Sequence, residues 1–253
     1  MVSQEEDYPK HDAVVESIGL GKVCTWTPES VAKGEKNPHT QDTKTVYQRR
    51  DMKIKESIID CIGNTPMVRI NNITKAEGIE CEVLVKCEFF NPAGSVKDRI
   101  ARRMILDAEL EGRIKPGDVL VEPTSGNTGQ GIALVAAARG YKAIITMPEK
   151  MSLEKQDALK GLGATIIRTP TEYGFRHLHS YMGKAFTLAK EIPNAHVLCQ
   201  YIAKGNSMSH YDETGQEIWD QTEGKVDICV MSAGTGGTIT GVARKLKEKN
   251  PNI

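Results

Sequence analysis

From Val119 onward, short apolar runs alternate with longer segments of helical periodicity. Val119–Glu122, Ala143–Met147, Thr165–Arg168, Val197–Cys199 and Val226–Met231 read as strands. Helices are expected over Gln130–Arg139, Ser152–Leu162, Ser180–Ile192, Tyr211–Gln221 and Thr238–Lys249. A strand that alternates with a helix in this way cannot hairpin back onto its neighbour. It pairs in parallel after a helical crossover, which predicts an α/β fold of parallel sheets covered by helices. Ligands in such folds collect at the carboxyl ends of the strands. Two glycine-rich stretches stand at that end: Ser125, Gly126, Asn127, Thr128 and Gly129, then Gly234, Thr235, Gly236, Gly237 and Thr238.

Upstream, Met67–Ile70 and Glu82–Lys86 read as strands, with the turn signal Gly63-Asn64-Thr65-Pro66 before the first. Asn91-Pro92-Ala93-Gly94-Ser95 is a second turn signal, and a helix is expected from Asp98 to Glu111. Lys97 sits at that junction. A lysine held there can be kept from water, and its amine then becomes neutral enough to attack a carbonyl. An isolated lysine at a helix start is ordinarily a surface residue, so the argument needs the glycine stretches as well. Each joins a strand to a helix, where backbone amides and the helix dipole favour an anion. Each taken alone is an ordinary glycine turn. Gly234–Thr238 is not a dinucleotide fingerprint, because Ile239 stands where the third glycine would be needed. An amine and two anion cradles together point to a carbonyl cofactor that carries a phosphate, namely pyridoxal phosphate.

Residues 1–53 lack regular periodicity and hold Pro9, Pro28 and Pro38, which predicts an extended arm, with the globular part at 54–253. Trp26 argues against a plain disordered tail there. Lys plus Arg and Asp plus Glu number 33 each, so no excess charge favours nucleic acid or an anionic membrane surface. No apolar run approaches the roughly 18 residues of a membrane span. The acidic start, Met1-Val2-Ser3-Gln4-Glu5-Glu6-Asp7, is unlike a secretory signal or a transit peptide. The six cysteines are scattered without a Cys-x-x-Cys pair, which suits free thiols and a cytoplasmic location.

Gly94-Ser95-Val96-Lys97-Asp98-Arg99, Ser125-Gly126-Asn127-Thr128-Gly129 and Gly234-Thr235-Gly236-Gly237-Thr238, in that order, resemble the β-family of pyridoxal-phosphate enzymes. Lys86-Cys87-Glu88-Phe89-Phe90-Asn91, Met147-Pro148-Glu149-Lys150-Met151-Ser152, Cys24-Thr25-Trp26 and Pro38-His39-Thr40 are similar to the haem-containing animal cystathionine β-synthases. The resemblance runs from about Val23 to the last residue. It implies a tryptophan synthase β-like (fold type II) catalytic domain, with a small subdomain at about 101–190. The cofactor motifs alone do not separate these enzymes from cysteine synthases, which act on an activated serine with sulfide. Cys24 and His39 do.

The resemblance assigns roles residue by residue. Lys97 holds pyridoxal phosphate by its carbonyl and then removes the α-proton of serine, whose hydroxyl is replaced by homocysteine. Gly234 to Thr238 bind the phosphate. Asn127 bonds the ring hydroxyl. Ser125, Gly126, Thr128, Gly129 and Gln200 bind the substrate carboxylate. Tyr201 lies near the cofactor ring, although a structural tyrosine is the equal reading of the residue itself. Cys24 and His39 are the axial ligands of haem b, with zinc the alternative metal, and Arg244 pairs with the Cys24 thiolate. Serine and homocysteine are the expected partners, in a homodimer. Ala93 departs from the glycine expected beside Gly94. By the same resemblance the catalytic domain is expected to continue past Ile253. That expectation leaves a haem-binding, catalytically incomplete fragment as a further alternative.

Overall fold

The computed structural model describes Lys33 and residues 53–124, 126–175 and 177–253. The chain divides into Met1–Lys53 and Ile54–Ile253. Within the second unit the elements run β1 (Met67–Arg69), α1 (Asn72–Ala76), β2 (Leu84–Lys86), α2 (Lys97–Leu110), β3 (Val119–Pro123), α3 (Asn127–Arg139), β4 (Lys142–Pro148) and α4 (Leu153–Gly161). β5 (Thr165–Thr169), α5 (Tyr181–Glu191), β6 (Ala195–Val197), α6 (Lys204–Ser209), α7 (Gly215–Gln221) and α8 (Gly237–Lys249) follow. β1 and β2 form an antiparallel ribbon. β5, β4, β3 and β6 form, in that order, a parallel sheet.

The parallel sheet forms where the alternation of strand and helix predicts it. Leu120 to Pro123 are buried without a break, so both faces of β3 are covered. Helix α5 packs on β3, β4 and β6, α3 on β3 and β4, and α4 on β5. Ile100, Ala101, Met104, Ile105 and Ala108 repeat at helical spacing along α2 and meet Ile132, Val135 and Ala136 of α3 in the main core. The two helices approach closely at one glycine. A Cβ on Gly131 would lie 2.9 Å from the Ala101 Cβ and 3.1 Å from the Lys97 carbonyl oxygen. That approach seats α3 on the first turn of α2, where the lysine sits.

Several expectations are corrected. Val226–Met231 is not a strand. Val226, Cys229 and Met231 pack on the cluster of Ile218, Val242 and Leu246, while Ile228 and Val230 stay exposed. No strand among the described residues pairs with it, and an apolar run without a ladder partner remains irregular. The helix expected at Tyr211 begins at Lys204 and passes through a π turn at His210–Thr214 before α7. The strand expected over Val197–Cys199 ends at Val197, because Cys199 adopts a left-handed conformation (φ 57°). Helix α1 is an addition to the expected set.

Candidate functional site

The turn before α2 is stitched by short side chains. Asp98, fully buried, accepts from the Ala93 amide at 2.6 Å and from the Ser95 hydroxyl at 3.5 Å. Ser95 Oγ accepts from the Lys97 amide at 3.1 Å. The Asn91 carbonyl accepts from the Gly94 amide at 2.7 Å. Burial pushes the Asp98 carboxyl up to about 6, against the donors from Ala93 and Ser95. Lys97 opens α2 half-buried, and burial alone lowers its pKa below the ordinary lysine range. Ala93 has no left-handed backbone, so its methyl group fits the place where glycine was expected.

Arg99 anchors the same turn from behind. Its guanidinium, fully buried, bonds Glu88 twice at 2.8 Å and Glu217 at 2.6 and 2.8 Å. Lys86 adds a 2.7 Å ion pair to Glu217. These cations hold Glu217 down at about 2 against the cost of burial.

The loop after β3 enters α3 at Asn127, with Gly126 as its cap. Thr128 is buried and its hydroxyl donates to the Gln200 side-chain oxygen at 2.7 Å. Asn127 lies exposed at the helix start, and Gly129 is buried. Ser125 lies outside the described residues. Gln200 is held by its backbone: its amide donates to Glu122 Oε1 at 3.0 Å, and the Cys199 amide to Glu122 Oε2 at 2.8 Å. Glu122 is fully buried at the end of β3, and desolvation pushes it up to about 7 despite those two donors.

A chain of hydrogen bonds continues to the second glycine stretch. The Gln200 carbonyl accepts from Asn206 Nδ2 at 2.7 Å, and the same nitrogen bonds Thr235 Oγ1 at 2.9 Å. Thr238 Oγ1 lies 3.2 Å from His210 Nε2. Gly236 takes φ 85°, a left-handed turn that glycine adopts without strain, and α8 starts directly after it. The first-turn amides of such a helix have no partner within it. Nothing lies within 4 Å of the places where a Cβ on Gly234 or Gly236 would stand.

Thus the structure brings Thr128, Gln200, Thr235 and Thr238 into one connected arrangement. Lys97 joins it through the packing of α2 on α3 and α6, and its charge helps lower the pKa of His210. Tyr201 is set beside aromatic residues, its hydroxyl 3.3 Å from that of Tyr181 and its ring edge-on to Phe175. Burial and Tyr181 raise its pKa. Arg244 is exposed on α8, with its guanidinium 5.6 Å from the centre of the Tyr211 ring. Cys24 and His39 lie outside the described residues. Among the described residues no group of three or more His, Cys, Asp or Glu could hold a metal ion.

Sequence reasoning missed Glu122, Asn206 and His210. For Glu122 a signal existed, a carboxylate closing the apolar run Val119-Leu120-Val121. Asn206 and His210 carry no local signal, since only folding brings them to the glycine stretch.

Comparison with known proteins adds to this geometry. The family described as pyridoxal-phosphate dependent enzyme matches residues 58–253. The chain is 57% identical over 228 residues to cystathionine beta-synthase of Rattus norvegicus, covering 90% of this chain and 40% of the relative. It is 48% identical over 205 residues to cystathionine beta-synthase of Saccharomyces cerevisiae, covering 79% and 40%. A solved structure, a hydrogen sulfide-producing enzyme from Fusobacterium nucleatum, superposes with a TM-score of 0.74 at 41% identity, covering 79% of this chain and 64% of that one. The chain spans 40% of the length of these curated relatives.

Proposed function

This chain belongs to the family of pyridoxal-phosphate-dependent enzymes, and from that premise we propose that it carries cystathionine β-synthase activity, the replacement of the serine hydroxyl by homocysteine. The observation that carries the reading is the hydrogen-bonded chain Thr128–Gln200–Asn206–Thr235, which ties a loop suited to a carboxylate to a loop suited to a phosphate. The residues fit the cofactor. The faces of Gly234 and Gly236 are open, unpartnered amides begin α8, and the Lys97 amine is partly withdrawn from water.

Lys97 would hold the cofactor's carbonyl end, Gly234 to Thr238 its phosphate, Asn127 its ring hydroxyl, and Tyr201 would stand beside the ring. When bound, pyridoxal phosphate supplies an electron sink for the bond broken at the substrate α-carbon. Ser125, Gly126, Thr128, Gly129 and Gln200 orient the amino-acid carboxylate with several neutral donors. Lys97, lowered by burial, accepts the α-proton. The proton it then holds is the one that the departing hydroxyl needs to leave as water. The homocysteine thiol gives up its own proton to Lys97 as its sulfur bonds to the β-carbon, and Lys97 returns that proton to the α-carbon, so that serine and homocysteine balance cystathionine and water.

The assay is direct: purified protein with pyridoxal phosphate, serine and homocysteine should form cystathionine, read by mass. The Lys97→Ala variant should lose all turnover. Borohydride trapping of the cofactor on a different lysine would overturn the assignment. A second reading is sulfide chemistry on an activated serine, as in cysteine synthase, because Lys97 and the two glycine stretches alone suit either reaction. Cysteine formed from sulfide, with no cystathionine from homocysteine, would select it.

Haem b on Cys24 and His39, with Arg244 near the thiolate, belongs to the same proposal and rests on the sequence resemblance. A Soret band in the purified protein, lost in Cys24→Ser, is the expected result. A homodimer and a cytoplasmic location complete the reading, and the five described cysteines, all free, support the latter.

A further inference from the structure

Two buried side chains bond the threonines of the second glycine stretch from the helical run beside it. Asn206 and His210 are four residues apart on the helical run Lys204–Gln221, so they stand on one face, one turn apart. Asn206 is 5% exposed and His210 is 0% exposed. Helix α8 is seated directly on them: a Cβ on Gly237 would lie 1.8 Å from Asn206 Oδ1.

The direction of one bond follows from its partner. The Asn206 side-chain nitrogen lies 2.7 Å from the Gln200 carbonyl oxygen, which can only accept, so that atom is the amide donor. The same nitrogen therefore donates its second hydrogen to Thr235 Oγ1, and the Thr235 hydroxyl keeps its own proton free. His210 lies between two hydroxyls, with Nδ1 2.9 Å from Thr214 Oγ1 and Nε2 3.2 Å from Thr238 Oγ1. Either tautomer satisfies both bonds within the protein.

We infer that Asn206 and His210 are positioning residues that donate to Thr235 and Thr238, His210 as the Nε2–H tautomer, so that both threonine hydroxyls turn their protons toward a bound phosphate. This rests on the reading of Gly234–Thr238 as a phosphate cradle. A hydroxyl has one proton to give. If Thr238 gave it to His210 Nε2, the phosphate would meet a lone pair in place of a donor. With Nε2–H donating, the polarity runs Thr214 hydroxyl to Nδ1, Nε2–H to Thr238, Thr238 hydroxyl to the anion. Every group is then satisfied. Burial, with the charges of Arg99 and Lys97, holds the imidazole pKa near 4, so the ring is neutral and carries a single N–H.

The test uses intact protein labelled with ¹⁵N-histidine and loaded with pyridoxal phosphate. The His210 resonances, assigned by their loss in His210→Gln, should show a protonated Nε2 and a bare Nδ1 at neutral pH. The opposite tautomer or an imidazolium would overturn the inference. Titrations of the apo protein with pyridoxal phosphate and with phosphate-free pyridoxal then separate positioning from folding. Asn206→Asp and His210→Leu should each weaken pyridoxal phosphate by about tenfold, the worth of one charge-assisted hydrogen bond, and leave pyridoxal nearly unchanged. His210→Gln, which keeps a donor at the far end, should recover most of the loss. Equal weakening of both ligands would mean a merely structural role and sink the inference. Wild-type protein that binds pyridoxal phosphate no better than pyridoxal would instead sink the cradle reading, and this inference with it.

Discussion

Glu122 shows most clearly how one residue sets the site. Its carboxylate, buried without a cation, accepts the amides of Cys199 and Gln200 and so holds Cys199 in its left-handed turn. Glu122→Gln would present an amide N–H to one of those donors. The expected cost is about 1–3 kcal/mol of stability. The KM for the amino-acid substrate should rise more than cofactor affinity falls, because the turn carries Gln200 and Tyr201. Titration adds a second check. The folded carboxyl lies near 7, above the ordinary 4.5, so the folded state binds more protons between those values. Its stabilising contribution is complete below 4.5 and is lost as pH rises through 7. Thermal melts should therefore show wild-type stability declining over that window, with the decline absent in Glu122→Gln.

Among the elements, α3 and α8 each meet a neighbour at a glycine, Gly131 and Gly237, whereas Gly234 of the second glycine stretch stands open. Gly131→Ala would drive a methyl group to 2.9 Å from Ala101 Cβ and 3.2 Å from Asp98 Cα. Separating α2 from α3 should cost about 1–3 kcal/mol and displace Lys97, so both melting temperature and turnover should fall. Gly234→Ala meets nothing within 4 Å and does not require a left-handed backbone. It should leave the melting temperature within the range of surface substitutions, about 0.5 kcal/mol, while weakening pyridoxal phosphate by intruding on the open face. Parallel melts and cofactor titrations of the two variants check both expectations. If Gly234→Ala bound the cofactor as wild type does, the open face would not be the phosphate's.

At the scale of the whole molecule, Arg99 joins parts that are far apart in sequence. It links Glu88 before α2 to Glu217 on α7, 118 residues along the chain. Arg99→Ala would leave Glu88 without its cation and Glu217 with Lys86 alone, and should cost about 3–5 kcal/mol. Arg99→Lys should also destabilise, since an ammonium cannot reproduce the fork that bonds both partners. Glu217 is held near 2, below its ordinary 4.5, so its stabilising contribution is present above 4.5 and is lost as pH falls toward 2. Acid unfolding monitored by circular dichroism should begin at higher pH in Arg99→Ala than in wild type.

The sequence alone determined the parallel sheet, the junctions at Lys97, Gly126 and Gly236, and the order of the motifs, because period, turn chemistry and helix starts act over a few residues. It did not determine that Val226–Met231 lacks a ladder among the described residues, since an apolar run records which side chains suit a core and not whether a partner strand lies alongside. Nor did it locate the second support of the site. Glu122, Asn206 and His210 act on residues 28 to 78 positions away, through hydrogen bonds that exist only once β3, α6 and α8 are packed. Local propensity has no term for such distances. The tertiary structure decided which buried polar groups would meet, because a polar group taken from water is costly unless it finds a partner inside the core.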